Sequence, residues 1–234
     1  MSEPTPDRSV EDAYGYAART VRDHAGPFLL AALGATAVAA LLQLLVTLAV
    51  GRGVARFVDA VAGEDASALR VLGVTGFAGL VLLLAVTGVL LAGLVQAVLT
   101  RGALAATEGR APTARTFTGG GRTRTVLLAA LLVAALAGLG TLLCYLPALA
   151  VALYAQFTLL FVLDKGLGPV AALRSSAMLV QRNLGACAGL AVVALLACLV
   201  GVLVCGVGIV LTAPLVVLAQ THLYRTLLGE PVAA

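Results

Sequence analysis

The sequence predicts an all-α, polytopic membrane protein with six transmembrane helices arranged as three hairpins, together with interfacial amphipathic helices. Hydrophobic residues make up 61% of the chain and charged residues only 11%, whereas a soluble domain has about a quarter charged residues. Two stretches, 125–163 and 183–224, contain no formal charge over 39 and 42 residues. In neither stretch do apolar and polar residues alternate with period two, as they do in membrane β-strands. Because a chain in hydrocarbon must satisfy its own backbone hydrogen bonds, both stretches are predicted to be helical.

The first uncharged stretch is too long for one crossing. As a single helix, 125–163 would measure about 58 Å, roughly twice the thickness of a bilayer core. The break is predicted just before Pro147, because proline cannot continue a helix but suits the first turn of a new one. Two antiparallel spans near 126–143 and 147–163 follow, joined by a turn too short to hold a soluble domain.

The second uncharged stretch divides in the same way. Gly206 and Gly208 mark the turn, since glycine adopts the positive-φ conformations that tight turns require. The predicted spans lie near 184–205 and 209–227.

The N-terminal half supplies one more hairpin. Residues 1–26 form a cytoplasmic tail that includes an amphipathic helix starting after Ser9, with Asp12 in the capping-box position. This helix either lies in the membrane interface or folds against the ends of the bundle. Spans near 27–50 and 71–100 follow, so the six-span membrane domain covers 27–228 and leaves a short tail at 229–234.

The segment before the third hairpin resembles the N-terminal helix. At an offset of 160, Val10 matches Val170 and Ala17 matches Ala177, and each copy precedes a pair of spans. A helix is therefore predicted over 169–183, and the middle hairpin has an arginine-rich loop, 101–124, in the corresponding place.

Arginine placement sets the predicted orientation. With six spans, one side of the membrane receives 12 of the 15 lysines and arginines, and the other side receives only 3. The positive-inside rule puts both termini in the cytoplasm of a plasma-membrane protein.

Few residues suggest chemistry. Cys144 and Cys205 end their spans at the predicted outer face, where they form either a disulfide or two unpaired thiols. Four arginines of the basic loop are candidates for contact with anionic lipid headgroups at the cytoplasmic face: Arg110, Arg115, Arg122 and Arg124.

The spans contain no Asp, Glu, Lys or Arg, which argues against a proton or ion pump. Gln156 and Gln220 remain as polar residues that either link helices or line a polar path. No catalytic group, metal site or cofactor is predicted, and the lack of tryptophan and of a base-stacking surface argues against nucleic acid as a partner.

One stretch also resembles a known family. Residues 138–232 include Cys144 with Pro147, Gln156 before Asp164, and Tyr224-Arg225 before Gly229. This region resembles a family of actinobacterial integral membrane proteins, some described as proline- and glycine-rich transmembrane proteins, and it is similar to the membrane domain attached to glycerophosphodiester phosphodiesterases. The resemblance implies the fold and the membrane location. It implies no phosphodiesterase activity, because the catalytic domain is missing.

The sequence favours a non-enzymatic scaffold or accessory protein that works through helix packing, with a homo-oligomer or a membrane complex as its setting. The alternative is a small lipid-handling or export permease. A polar cavity around Gln156 and Gln220 would favour the permease, and a carboxylate beside His222 in a cleft would favour an enzyme.

The predicted topology has a direct test. Reporter tags placed at the N-terminus and at the C-terminus should both be found in the cytoplasm. A tag detected outside the cell at either end would contradict the orientation derived from the arginines.

Overall fold

The computed structural model describes residues 10–23, 25–61, 66–110, 113, 116–117, 122–142, 146–203 and 207–232. Nine helices lie within these ranges: α1 (Val10–Asp23), α2 (Ala25–Val61), α3 (Ala66–Thr107), α4 (Thr123–Leu142), α5 (Leu146–Ala155), α6 (Thr158–Leu163), α7 (Pro169–Arg182), α8 (Leu184–Leu203) and α9 (Val207–Leu228).

Five segments of the described chain are long and apolar enough to cross a membrane: Gly26–Gly53, Leu82–Thr107, Thr123–Gly140, Leu146–Leu163 and Leu184–Gly201. The predicted class, an all-α polytopic membrane protein, is confirmed. The sixth predicted span, near 209–227, coincides with α9, whose side chains are described from Thr212 onward. The count of six therefore stays a prediction.

Two predicted boundaries differ from the structure. The connection expected over 51–70 is largely helical, because α2 continues to Val61 and α3 begins at Ala66. Likewise, α3 runs to Thr107 instead of ending near residue 100. Charged residues mark where a chain leaves hydrocarbon, but alanine and arginine are good helix formers, so these helices extend past the membrane boundary.

The buried core lies at the end of the bundle where the described chain begins, at α1, and ends, after α9; we call it the end with the termini. Phe28, Leu99, Val126, Val162 and Leu223 are all almost fully buried there. Toward the opposite end, leucines on several helices are exposed: Leu83, Leu139, Leu149 and Leu196. In a bilayer such apolar faces contact lipid, so packing at the end with the termini holds the bundle together.

The N-terminal helix α1 folds against this end of the bundle, which decides between the two predicted placements. Its Ala13, Tyr16 and Ala17 are buried. The Tyr16 ring centroid lies 4.8 Å from that of His222 in α9, and the Tyr16 hydroxyl donates to the carbonyl of Ala106, 3.3 Å away at the end of α3. Burial raises the pKa of Tyr16, so this hydroxyl keeps its proton.

The other two segments that precede hairpins are also packed inside. Helix α7 buries Ala172, Ser176 and Val180 on one face, against α4, α5 and α6. Phe117, from the arginine-rich loop, meets Phe28 edge to face at 5.5 Å, and a Cβ at Gly102 would come within 2.1 Å of the Phe117 ring. Thus α1 packs on the third hairpin (α8 and α9), α7 packs on the second hairpin (α4 to α6), and Phe117 of the loop packs on the first hairpin (α2 and α3).

Ion pairs join the helix ends at the same side. Arg225 of α9, whose side chain is 9% exposed, donates from Nη2 to Glu108 Oε1 at 2.7 Å. Glu108 also pairs with Arg110. The end of α3 is thereby tied to the end of α9.

A second group continues this cluster toward α6. The Tyr224 hydroxyl donates to Asp164 Oδ2 at 3.0 Å, and Lys165 pairs with both Asp164 and Glu230. We call Glu108, Asp164, Lys165, Tyr224, Arg225 and Glu230 the ion-pair cluster. Through it, the described C-terminal residues join the ends of α3, α6 and α9.

The hydrogen bond that Lys165 donates to Glu230 raises the pKa of Lys165 above its ordinary value. The ion pair of Lys165 therefore adds its full contribution to the free energy of unfolding below the ordinary pKa of lysine, about 10.4. This contribution is lost as the pH rises through the higher pKa of the folded state. Because Lys165 is 40% exposed, solvent keeps this contribution small.

Replacing Glu108 tests the cluster. Glu108→Gln should lower the free energy of unfolding in detergent by about 2 kcal/mol, because the buried guanidinium of Arg225 loses a charged hydrogen-bond partner. The measurement is the temperature at which the purified protein stops being monodisperse on size exclusion. Glu11→Gln, which changes an exposed carboxylate of α1, is the matched control. Equal melting of the two variants would contradict the role given to Glu108.

Candidate intramembrane binding site

One predicted span is interrupted inside the membrane. The segment 147–163 was expected to be one helix, but α5 ends at Ala155 and α6 begins at Thr158. Between them, Phe157 has φ −99° and ψ 4°, which is not helical. An interruption in hydrocarbon exposes backbone groups that must find other partners.

A buried serine from α7 supplies those partners. Ser176, which is fully buried, donates from Oγ to the carbonyl of Tyr154 at 2.6 Å. The same oxygen accepts the backbone N–H of Phe157 at 3.1 Å. One hydroxyl therefore bridges the break, and α7 must pack beside α5 and α6 to deliver it.

The interruption also joins the two predicted glutamines. Gln220 Nε2 of α9 donates to the backbone carbonyl of Gln156 at 3.4 Å. The side-chain Nε2 of Gln156 and the Oγ1 of Thr158 are buried and make no hydrogen bond within the described part of the chain. Buried polar groups are normally paired, so these two atoms need partners from outside the described residues.

A cavity of about 440 Å³ lies beside the break, within the usual size range of ligand pockets. Its polar lining residues are Gln96, Thr100, Gln156, Thr158 and Gln220, and its apolar lining residues are Val89, Ala92, Gly93, Ala129, Ala130, Val133, Ala134, Ala152, Ala155, Leu159 and Leu160. None of these described residues carries a charge. Ala92 and Ala152 are exposed, so the cavity opens onto the surface that faces lipid.

On α3, the polar residues that line the cavity lie toward one end of it. Along α3, Thr100 and Gln96 lie nearer the chain termini, whereas Ala92 and Val89 lie nearer the bilayer centre. From Thr100 to Val89 is about 16 Å at 1.5 Å per residue. On the second hairpin, Gln156 and Thr158 are followed toward the centre by Ala155 and Ala152, and toward the helix end by Leu159 and Leu160. The cavity therefore combines a few uncharged polar groups with apolar walls, as lipid-binding sites do.

Small residues create the space. At Gly93, an added Cβ would meet the Cβ of Ala130 at 2.6 Å, so α3 and α4 approach closely at that point. Above and below this contact, alanines line the walls where larger side chains would fill the volume.

A second cavity of about 440 Å³ lies at the end with the termini, lined by Asp12, His222, Thr226, Gly229, Glu230, Pro231 and Val232. It brings His222 together with two carboxylates, the arrangement named above as favouring an enzyme. His222 Nδ1 is buried without a hydrogen-bond partner among the described residues. The hydroxyl of Thr226, however, donates to the carbonyl of His222 at 2.9 Å, so it is occupied by a backbone bond.

The other predicted site residues that the structure describes lie apart from both cavities. Arg122 donates from Nη1 to the carbonyl of Leu163 at 3.2 Å, which caps α6. Arg110 pairs with Glu108 and is otherwise exposed, and Arg124 is exposed. Arg115, Cys144 and Cys205 lie outside the described residues, so the lipid-headgroup and disulfide predictions that include them stay predictions.

Sequence reasoning missed Ser176, Thr158 and the break itself. No glycine or proline marks the interruption at 156–157. The one available signal was Ser176, which occupies a core position on the apolar face of α7, in helical register with Ala172 and Val180. A serine there needs a buried partner.

A comparison with curated proteins found relatives in mycobacteria. An uncharacterized protein of Mycobacterium bovis is 32% identical over 160 residues, which cover 68% of this chain and 48% of that protein. Two uncharacterized proteins of Mycobacterium tuberculosis strains match over the same shares at 32% and 31% identity. This chain thus spans about half the length of the curated relatives it matches. No family model matches the chain, and no solved structure matches it.

Removing the bridging hydroxyl tests the interrupted span. Ser176→Ala should lower the free energy of unfolding by about 2 kcal/mol, because two hydrogen bonds are lost and the buried N–H of Phe157 is left unpaired. Thermal unfolding in detergent measures the change. Ser175→Ala, one residue away on the same helix, should stay within about 0.5 kcal/mol of the unaltered protein. If Ser176→Ala melts like Ser175→Ala, the bridge does not hold the break.

Proposed function

We propose that this protein is a non-enzymatic, multi-pass protein of the plasma membrane that binds one lipid molecule in the cavity beside Gln156. In this role it is a lipid-handling component, either as a permease or as an accessory subunit. The observation that supports the proposal is the interrupted span Leu146–Leu163, which lies beside an uncharged cavity lined by a few polar side chains and by apolar walls.

Interrupted helices support a binding role because irregular backbone at membrane depth is tolerated where it is buried or lines a cavity. Membrane transporters use such breaks to present backbone and side-chain groups to a substrate. Here Ser176 bonds two backbone groups of the break, and Gln156, whose side-chain Nε2 is buried and unpaired within the described part of the chain, lines the cavity.

The depth of the cavity supports a lipid of the inner leaflet. Gln220 lies eight residues before the end of α9, and Thr158 five residues before the end of α6. At 1.5 Å per residue these positions lie roughly 8–12 Å from the helix ends, inside a single leaflet. Arginine placement makes that side cytoplasmic, where exposed basic residues such as Arg124 would contact anionic headgroups.

The proposal includes no catalysis. His222 shares its cavity with Asp12 and Glu230, but a nucleophile is also needed for acyl or phosphoryl transfer to the enzyme. Among the described residues that line that cavity, the one hydroxyl, that of Thr226, is bonded to a backbone carbonyl.

Membership of the actinobacterial membrane-protein family named above is part of the proposal. The mycobacterial relatives support it, since they come from that bacterial group and match this chain over 160 residues. Similarity to the membrane domain of glycerophosphodiester phosphodiesterases stays a prediction.

A scaffold is the second candidate, and α2 favours it. Helix α2 has an exposed apolar face, on which Leu30, Leu41 and Leu44 are each more than half exposed. A second copy of the chain or a different membrane protein would pack against this face. Recovery of a stoichiometric protein partner in mild detergent, with no lipid in the cavity, would favour the scaffold over lipid binding.

Filling the cavity tests the lipid-binding function. Cells fed a photoreactive fatty acid should yield lipid adducts that map to peptides lining the cavity. Ala134→Phe should remove most of these adducts, because the new ring occupies the space that Ala134 leaves at the wall. Ala135→Phe, whose side chain is exposed on the same helix, should leave them unchanged. Similar adduct yields from the two variants would contradict the proposal.

A further inference from the structure

We infer that the occupant of the cavity is an uncharged glycerolipid of the diacylglycerol type, recognised through its ester carbonyl or hydroxyl oxygens by the side-chain amide of Gln156. This inference rests on the proposed function, and it adds the chemical class of the ligand and the residue that selects it.

The unpaired group on Gln156 is a donor. Its Nε2 carries two N–H groups and no acceptor, and it is buried without a partner in the described part of the chain. The neighbouring hydroxyl of Thr158 is buried and unpaired as well. Both residues line the cavity, so a ligand that offers hydrogen-bond acceptors beside the break would give these groups partners.

A phosphate would be poorly accommodated there. No Lys or Arg lies among the described lining residues, and a charge moved into such surroundings is costly unless it is paired. Two arginines at this end of the bundle are already engaged: Arg122 with the carbonyl of Leu163, and Arg225 with Glu108. The site is therefore suited to neutral oxygen acceptors and selects against anionic headgroups.

The walls favour aliphatic chains over a flat ring. The apolar lining consists of alanine, valine, leucine and glycine, with no aromatic side chain among the described lining residues. The exposed Ala92 and Ala152 leave an opening toward the bilayer through which acyl chains extend. These features favour a glycerolipid over a quinone. The carbonyls of a quinone would also accept a hydrogen bond from Gln156, but its ring would find no aromatic side chain to stack on.

Competition with purified protein tests the ligand class. A photoreactive dioleoylglycerol is cross-linked to the full chain in detergent, and unlabelled competitors are added: dioleoylglycerol, dioleoylphosphatidic acid, dioleoylphosphatidylglycerol and a menaquinone. Dioleoylglycerol should displace the probe at a mole fraction about tenfold lower than the two anionic lipids. The neutral lipid gains one buried hydrogen bond, whereas an anionic lipid brings an unpaired charge into the cavity.

A matched pair of variants tests the residue. Gln156→Leu should weaken dioleoylglycerol binding about tenfold. Gln43→Leu removes another intramembrane glutamine, one that bonds to Leu84 between α2 and α3, and should leave binding unchanged. The competitor series on the unaltered protein remains decisive even where Gln156→Leu fails to fold.

The outcomes separate the two proposals. If the probe labels the cavity but an anionic lipid or the quinone competes as well as dioleoylglycerol, the ligand class is wrong and the lipid-binding function stands. If Gln156→Leu binds dioleoylglycerol normally, the role of Gln156 is wrong. If no lipid labels peptides that line the cavity, the proposed function itself fails.

Discussion

In hydrocarbon, a backbone polar group that lacks a protein partner cannot hydrogen-bond to water instead. This constraint determines how the second hairpin is built. Its returning span stops being helical at Gln156 and Phe157, and the hydroxyl of Ser176 takes the two backbone bonds beside the break. Because Ser176 is on α7, that helix has to enter the bundle and pack on α4, α5 and α6. The break in the span and the placement of α7 beside it are thus linked by one hydrogen-bonding requirement.

The two ends of the bundle differ in how they are stabilised. At the end with the termini, α1, α7 and Phe117 each cover a hairpin, and the ion-pair cluster ties α3, α6 and α9 together. Toward the other end the described helices turn exposed leucines outward, and lipid tails are as apolar as those side chains. The cavity lies close to the end that the ion-pair cluster joins, so packed helices form its walls. Its opening faces the lipid of the membrane. That combination suits a protein that admits a lipid laterally.

Most of the fold could be predicted because it follows from apolar length and from a few turn residues. Pro147 and the uncharged stretch 125–163 indicated the second hairpin, and the spacing from Val10 to Ala17 indicated α1. The extension of α2 and α3 was missed, since polarity reports where a chain leaves the membrane and not where its helix ends. Gln156 and Gln220 were identified as polar residues, but their meeting depends on the break, which Ser176 stabilises from 19 residues away in sequence. Such a contact cannot be read from local pattern.

The central claim is that the amide of Gln156 faces a lipid and not another part of the protein. Nuclear magnetic resonance of the protein in lipid nanodiscs, with labelled glutamine side chains, tests this claim most directly. The account predicts contacts between the side-chain amide protons of Gln156 and the glycerol or acyl protons of a bound lipid. Contacts confined to protein protons, with a continuous helix through residues 156 and 157, would contradict it.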